Sequence, residues 1–489
     1  MCAAFISQTS CSRLASVGAL RPRSLPHQRK GTRFLRSRHT AALFDEQGLG
    51  KTKQLIDAIA EDVEADVLDA ALVICPNTLK TTWGEEIEKH CRLRYAIFGA
   101  GKKARREAFR SLKASFYVIN YEAVSAEMAS LRALLRFKRI ALVLDESHRV
   151  KTPEAKVTRA VLALRVEAKK RYIMTGTPVA NKPEDLWSQL FFLDDGERLG
   201  PTFEAFKNRY GPSSTGYQRL HEIRSQLSTI SLRREKEGTI ELPPKRVKRL
   251  AVTLEGRQLA MYDQMRRELV LWVQNLSGEE VQAQAEHILS RLVRLAQLAS
   301  NPGLIDAGYE ETPAKFVVLD KLLPAFQEAK AGKAIVWTSF VPNISALLHR
   351  YSDLKPVCLH GEMDGRSRDK AVRDFKNDQS VRLMVANPAA AREGLTLTEA
   401  RTAIYLDRTF NLVDFLQSQD RIHRLSQKYP CDIVLLIARD TVDEFVDYSL
   451  SQKHRLARYT QSDIDDVAAE DLALEKPDLI RALISTSAS

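Results

Sequence analysis

The sequence predicts an α/β fold built on two parallel sheets with helices on both faces. Three observations predict it. Nine short apolar runs alternate with segments of helical spacing, the runs fall into two clusters, and the stretch between the clusters reads as mainly helical. A run that is apolar at every position suits a strand buried on both faces, and strands separated by helices pair in parallel.

The first cluster comprises residues Thr40–Phe44, Ala71–Cys75, Phe116–Ile119, Ile140–Leu144 and Arg171–Met174. The second comprises Ala334–Thr338, Arg382–Ala386, Thr402–Leu406 and Asp432–Ile437. Between them, residues 203–330 read as helical. Val281, Ile288, Leu292, Leu295 and Leu298 recur at amphipathic spacing until Asn301-Pro302-Gly303 stops the pattern. Leu242-Pro243-Pro244 reads as a hinge.

Charge narrows the class of partner. The 489 residues carry a net +12. Residues 1–44 hold eight Arg or Lys and no acid, whereas residues 459–489 hold seven acids against Lys476 and Arg481. A basic arm on a basic body suits a polyanion. An Arg- and Ser-rich start also describes an organellar transit peptide, so that alternative stays open beside a cytoplasmic location. No run approaches the roughly 18 apolar residues of a membrane span. The six cysteines include no C-x-x-C pair, which argues against a disulfide scaffold or zinc ribbon and fits a reducing cytosol.

The chemistry sits at strand ends. Thr40–Phe44 runs into Asp45-Glu46-Gln47-Gly48-Leu49-Gly50-Lys51-Thr52 and then a helical segment. Strand, glycine loop, Lys-Thr and helix form a phosphate cradle: loop N–H groups and the helix N-terminus take phosphate oxygens. Lys51 would reach the β and γ phosphates, and the Thr52 hydroxyl would bind Mg²⁺. The strict pattern begins with Gly where this chain has Asp45. The strand Ile140–Leu144 ends in Asp145-Glu146-Ser147-His148. Adjacent acids there suit a Mg²⁺-nucleotide hydrolase, with Asp145 holding the metal and Glu146 polarising the attacking water.

With these motifs the chain resembles helicase superfamily two, and within it the Swi/Snf-type DNA translocases, whose phosphate loop also begins Asp-Glu. The resemblance spans residues 25–455. Leu25-Pro26-His27-Gln28 is similar to the segment whose Gln reads adenine, which nominates Gln28. Val73–Leu79 with Trp83 resembles motif Ia, placing Pro76 to Leu79 near a DNA backbone. Met174–Pro178 resembles motif III, and Leu232-Arg233-Arg234 with Leu242–Lys245 resembles the link between lobes. Ile335–Phe340 and His360-Gly361 resemble motif IV and the element after it. Glu393-Gly394-Leu395-Thr396-Leu397-Thr398 resembles motif V, a DNA- and nucleotide-facing loop. Gln417–Gln427 resembles motif VI, with Arg421 and Arg424 on one face of a helix as arginine fingers.

The resemblance implies two RecA-like lobes across an ATP cleft, with ATP and Mg²⁺ as cofactors. Gln28, Gly48, Gly50, Lys51, Thr52 and Gly394 would bind nucleotide; Thr52 and Asp145 would bind Mg²⁺; Lys51, Glu146, Arg421 and Arg424 would carry catalysis. It divides the chain into an arm (1–20), lobe one (21–200), a helical insertion and link (201–312), lobe two (313–458) and an acidic tail (459–489). The implied activity is a DNA-stimulated ATPase that tracks on duplex DNA, bound through phosphates. Lys151, Lys156, Lys245 and Arg246 are candidate contacts. A strand-separating helicase, a motor subunit of a restriction or phage-defence complex, and a DNA-binding scaffold remain as rival readings. In the tail, Asp463, Asp465, Asp466, Glu470 and Asp471 could compete with DNA or dock a basic partner. Alternatively, the tail is a helix that packs through Leu472, Leu479 and Ile480.

Overall fold

The computed structural model describes residues 24–99, 113–213, 216–277, 280, 283–328, 332–391 and 395–465. They form two compact units. Among the described residues, one runs to Ile240 and takes up the chain again over 456–465; the other is Glu241–Arg455.

The first unit is built on β1 (Thr40–Leu43), β2 (Ala70–Cys75), β3 (Tyr95–Ile97), β4 (Phe116–Asn120), β5 (Ile140–Asp145) and β6 (Lys170–Met174), with a small hairpin of β7 (Pro212–Ser213) and β8 (Gly216–Tyr217), and then β9 (Ser231–Leu232). Seven of these make one parallel sheet in the order β3-β4-β2-β5-β6-β1-β9. Every residue of β2 and β5 is buried, so both faces are covered. One face closes over Val73, Phe116, Val143 and Tyr172 against Leu55, Ile59, Trp83 and Ile87 of two helices.

Register explains where the site forms. Leu43 of β1 lies level with Met174 of β6, and Met174 lies level with Asp145 of β5. The segments after these three strands therefore emerge together along the carboxyl edge of the sheet, where open parallel sheets bind ligands.

The second unit holds β10 (Lys245–Val252), β11 (Lys333–Trp337), β12 (Val357–Leu359), β13 (Leu383–Ala386), β14 (Ala400–Tyr405) and β15 (Cys431–Ala438). They form a six-stranded parallel sheet in the order β10-β15-β14-β11-β13-β12. Side chains alternate along β11: Ile335 and Trp337 enter one core, Ala334 and Val336 the other.

All nine runs read from the sequence are strands. The helical reading of residues 203–330 is corrected at the short strands β7, β8 and β9 and, over a longer stretch, at β10. Lys245–Val252, within it, is an edge strand whose first five residues are exposed. Its charged residues hide the apolar signal because only one side of the strand pairs. Its edge carries Lys and Arg, as exposed edges commonly do. Among the described residues no helix is long and apolar enough to cross a membrane.

Candidate nucleotide site

The loop after β1 turns through Gly48 and Gly50, with φ of 92° and 77°, a conformation that glycine adopts without a Cβ penalty. Gly50 caps the helix Lys51–Glu64. A side chain on it would strike the Gln28 amide, since a Cβ there would stand 2.4 Å from Gln28 Nε2. Gln28 thus packs on the loop, and its Oε1 also accepts from the Leu25 backbone at 3.0 Å. His27 lies beside it, with Nε2 3.0 Å from the Leu49 carbonyl. Proline at the first turn of the helix Pro26–Arg36 presets this approach.

Lys51 Nζ donates to the Asp45 carbonyl at 2.7 Å and to that of Glu46 at 3.4 Å. Burial pushes its ammonium below the ordinary lysine value, Glu146 and Asp45 pull it back up, and the charge of Arg233 acts with burial. Thr52 follows as the second residue of the helix.

Asp45 explains its own departure from glycine. Its carboxylate is fully buried. Arg234 grips both oxygens, and Gln54 Nε2 donates to Oδ2 at 3.0 Å. Arg234 also donates to the His27 carbonyl and to Gln54 Oε1. One guanidinium therefore ties together the loop base, the helix after it and the helix before β1. Gly31 makes room: a Cβ there would lie 1.7 Å from Gln54 Oε1. The neighbouring residues complete a zipper. The Phe44 and Glu46 amides donate to the Leu232 and Arg234 carbonyls, and the Lys236 amide donates to Glu46 Oε2 at 2.7 Å.

At the end of β5, Asp145 Oδ2 accepts from Trp83 Nε1 at 2.8 Å, and Oδ1 accepts from the Glu146 amide at 2.9 Å. Tyr121 donates its hydroxyl proton to the Asp145 carbonyl at 2.7 Å. Glu146 is held at φ 51°, a left-handed conformation rare outside glycine and typical of functional turns. Its Oε2 accepts from the Thr175 hydroxyl at 3.0 Å and lies 3.3 Å from His148 Nδ1, which is itself 3.2 Å from Thr175 Oγ1. Burial and the adjoining Glu146 charge push Asp145 up. Burial acts on Glu146 the same way, but His148, Lys51 and Thr175 overcome it and hold Glu146 well down.

In the second unit the arginines correct the helical expectation. The helix Leu412–Gln419 ends before them, so Arg421 and Arg424 stand in the turns that follow, not on a helical face. Arg421 is buried and donates to the Gln417 carbonyl at 2.9 Å and the Leu395 carbonyl at 3.0 Å. Arg424 donates to the Asp420 carbonyl at 2.8 Å and to Thr396 Oγ1 at 2.9 Å. Both therefore press on the segment after Gly394, a residue that itself lies outside those described. Gln427 reinforces this through its amide, which reaches the Thr398, Ala400 and Ile422 carbonyls.

Of the candidate DNA contacts, Arg246 is paired with Asp432 at 2.7 Å, and Lys156 and Lys245 are exposed. Asn77 and Thr78 are exposed just past β2. Asp463 and Asp465 are engaged within the first unit by Arg233 and Arg224. Asp466, Glu470, Asp471, Leu472, Leu479 and Ile480 lie outside the described residues, as do residues 1–20.

A parallel sheet with a glycine loop and Lys-Thr after one strand, and paired acids after another, defines a phosphate-loop nucleotide-binding protein. More narrowly, residues 27–304 match the SNF2-related domain and residues 314–426 the helicase conserved C-terminal domain. The chain belongs to the SNF2-related family. It is 28% identical to the zebrafish (Danio rerio) chromodomain-helicase-DNA-binding protein 1-like, over 88% of this chain and 43% of that protein. It is 26% identical to the TATA-binding protein-associated factor MOT1 of Saccharomyces cerevisiae, over 84% and 26%. The chain thus spans less than half the length of these curated relatives. The Sulfolobus solfataricus SWI2/SNF2 ATPase core in complex with dsDNA is similar at 26% identity, covering 94% of this chain and 98% of its own, with a TM-score of 0.44.

Proposed function

We propose that the chain is an ATP-driven motor that tracks along duplex DNA without separating its strands. The observation that carries the reading is the meeting of Lys51, Asp145 and Glu146 at one sheet edge, with Glu146 fixed by Thr175 and His148.

Each residue has a task in this reading. Gln28 takes the base, and the loop amides with Lys51 take the phosphates. The ammonium exchanges two backbone carbonyls for phosphate oxygens. Thr52 and Asp145 offer hard oxygen donors of the kind Mg²⁺ prefers beside a nucleotide, and the ion, when bound, neutralises charge on the phosphates. Glu146 accepts the proton of the attacking water at a carboxylate that Thr175 and His148 keep oriented. Arg421 and Arg424 supply positive charge to the transferred phosphate.

Family membership, a relative whose name includes DNA binding and the net +12 support duplex DNA as the track. Exposed Lys156 and Lys245 suit phosphate contacts, which a motor indifferent to sequence needs. ATP turnover measured without nucleic acid, then with duplex DNA, single strands, forks and RNA, tests the reading. Slow basal turnover, stimulated several-fold by duplex, is expected, together with displacement of a triplex third strand. Equal rates with and without DNA, or efficient unwinding of a long blunt duplex, would overturn it.

A further inference from the structure

Arg233 stands beside the nucleotide site and spends its whole guanidinium on two tasks. Nη1 donates to the Phe44 carbonyl at 2.7 Å and approaches that of Gly176 at 3.5 Å. Nε and Nη2 donate to the two carboxylate oxygens of Asp463, at 3.0 and 2.7 Å. The Arg233 and Asp463 side chains are only 14% and 4% exposed. The Asp463 backbone is itself fixed: its amide donates to the Arg458 carbonyl at 2.9 Å, and Ser462 turns the chain there with φ 65°.

The two ends of this fork differ in origin. Phe44 immediately precedes Asp45, whose carbonyl holds Lys51, and Gly176 lies so close to Lys51 that a Cβ on it would stand 3.5 Å from Nζ. Asp463 comes from the far end of the described chain, 37 residues past the last residue matched by either family domain. A two-point carboxylate grip fixes the plane of a guanidinium as well as its place. The direction in which Nη1 addresses the loop base is therefore set by Asp463.

We infer that Asp463 is a positioning residue of the nucleotide site, acting through Arg233 to hold the carbonyl ladder on which Lys51 rests. This deepens the ATP-site reading above and rests on it. Without Asp463 the Arg233 guanidinium loses its two-point carboxylate grip and keeps only the Phe44 and Gly176 carbonyls. The loop base then loosens where phosphate is gripped, while Glu146 and its partners stay in place. The loss falls on nucleotide affinity more than on turnover at saturation.

The test uses the full-length chain and a fluorescent ADP analogue, with ATP kinetics in parallel. Asp463→Asn should weaken analogue binding about tenfold and raise KM to match, with kcat within about twofold. Asp463→Glu should restore most of the affinity. Asp465→Asn is the control: that carboxylate is 94% exposed on Arg224, and its loss should change nothing. Arg233→Gln should weaken binding as much as Asp463→Asn, and the double variant no further, because the two act as one unit. If the wild type binds the analogue and Lys51→Ala does not, the ATP-site reading stands independently. Asp463→Asn with unchanged affinity, even at lower thermal stability, would then overturn the inference, as would additive losses in the double variant or faster turnover. A wild type that binds no nucleotide would overturn the site reading itself.

Discussion

Replacing Arg234 by glutamine removes the cationic partner of Asp45 while keeping a side chain of similar reach. Asp45 is fully buried and would keep Gln54 as a donor and the nearby Lys51 charge, so the cost is that of a buried carboxylate that loses its paired guanidinium. Breaking such pairs from one side costs about 3–5 kcal/mol, and the retained amide contact argues for the lower end, about 3 kcal/mol. For a unit of this size that corresponds to a fall in Tm of about 6–12 °C. Calorimetry of the whole chain reads it, with the relevant transition identified by its rise on adding ADP. Adding Asp45→Asn removes the stranded charge and should recover about half of the loss, by the logic of a double-mutant cycle. A Tm shift below about 2 °C, or a double variant no more stable than Arg234→Gln alone, would refute the argument that Asp45 stands in the loop as an anchor for Arg234.

Three other outcomes are expected. Glu146→Gln should bind ATP as the wild type does and turn it over at least about a hundredfold more slowly, measured by single-turnover hydrolysis beside nucleotide binding. Trp83→Phe keeps the ring in the core but deletes the donor to Asp145; a hydrogen bond to a charged group is worth about 1.5–3 kcal/mol, so the Mg²⁺ concentration for half-maximal ATP turnover should move by tenfold or more. Gly31→Ala should cost about 1–3 kcal/mol in a denaturant titration, because the new methyl displaces Gln54 Oε1 from Arg234.

How much of this was legible in the sequence depended on whether a residue's reason lies near it in the chain. β2 and β5 announce themselves because both their faces are buried, and every residue is apolar up to the functional end. The loop and Asp145-Glu146 are contiguous motifs, so their places could be read directly. β10 was hidden because an exposed edge strand carries a helix-like mixture of charge and aliphatics. The reason for Asp45 was hidden because Arg234, which explains it, comes 189 residues later. Arg421 and Arg424 show the converse. Their spacing of three suits a helix, yet hydrogen bonds to Leu395 and Thr396 hold them in turns instead. Trp83 falls within a recognisable motif, but its bond to Asp145 spans 62 positions and no local pattern encodes it.

The chain leaves the first unit after Ile240 and returns to it at Leu456, by way of the helix Val442–Thr460. During synthesis the sheet carrying Lys51 and Glu146 emerges from the ribosome first. Its last described pieces, Thr460 and Asp463 among them, emerge only after all of Glu241–Arg455. Of the two units, the one made first is thus finished last. A nascent chain stalled at residue 450 would carry an assembled sheet whose Arg233 still lacks its carboxylate. Complete nucleotide grip would then appear only once Asp463 has emerged, so that a ribosome-bound intermediate still lacking it would hold nucleotide more weakly.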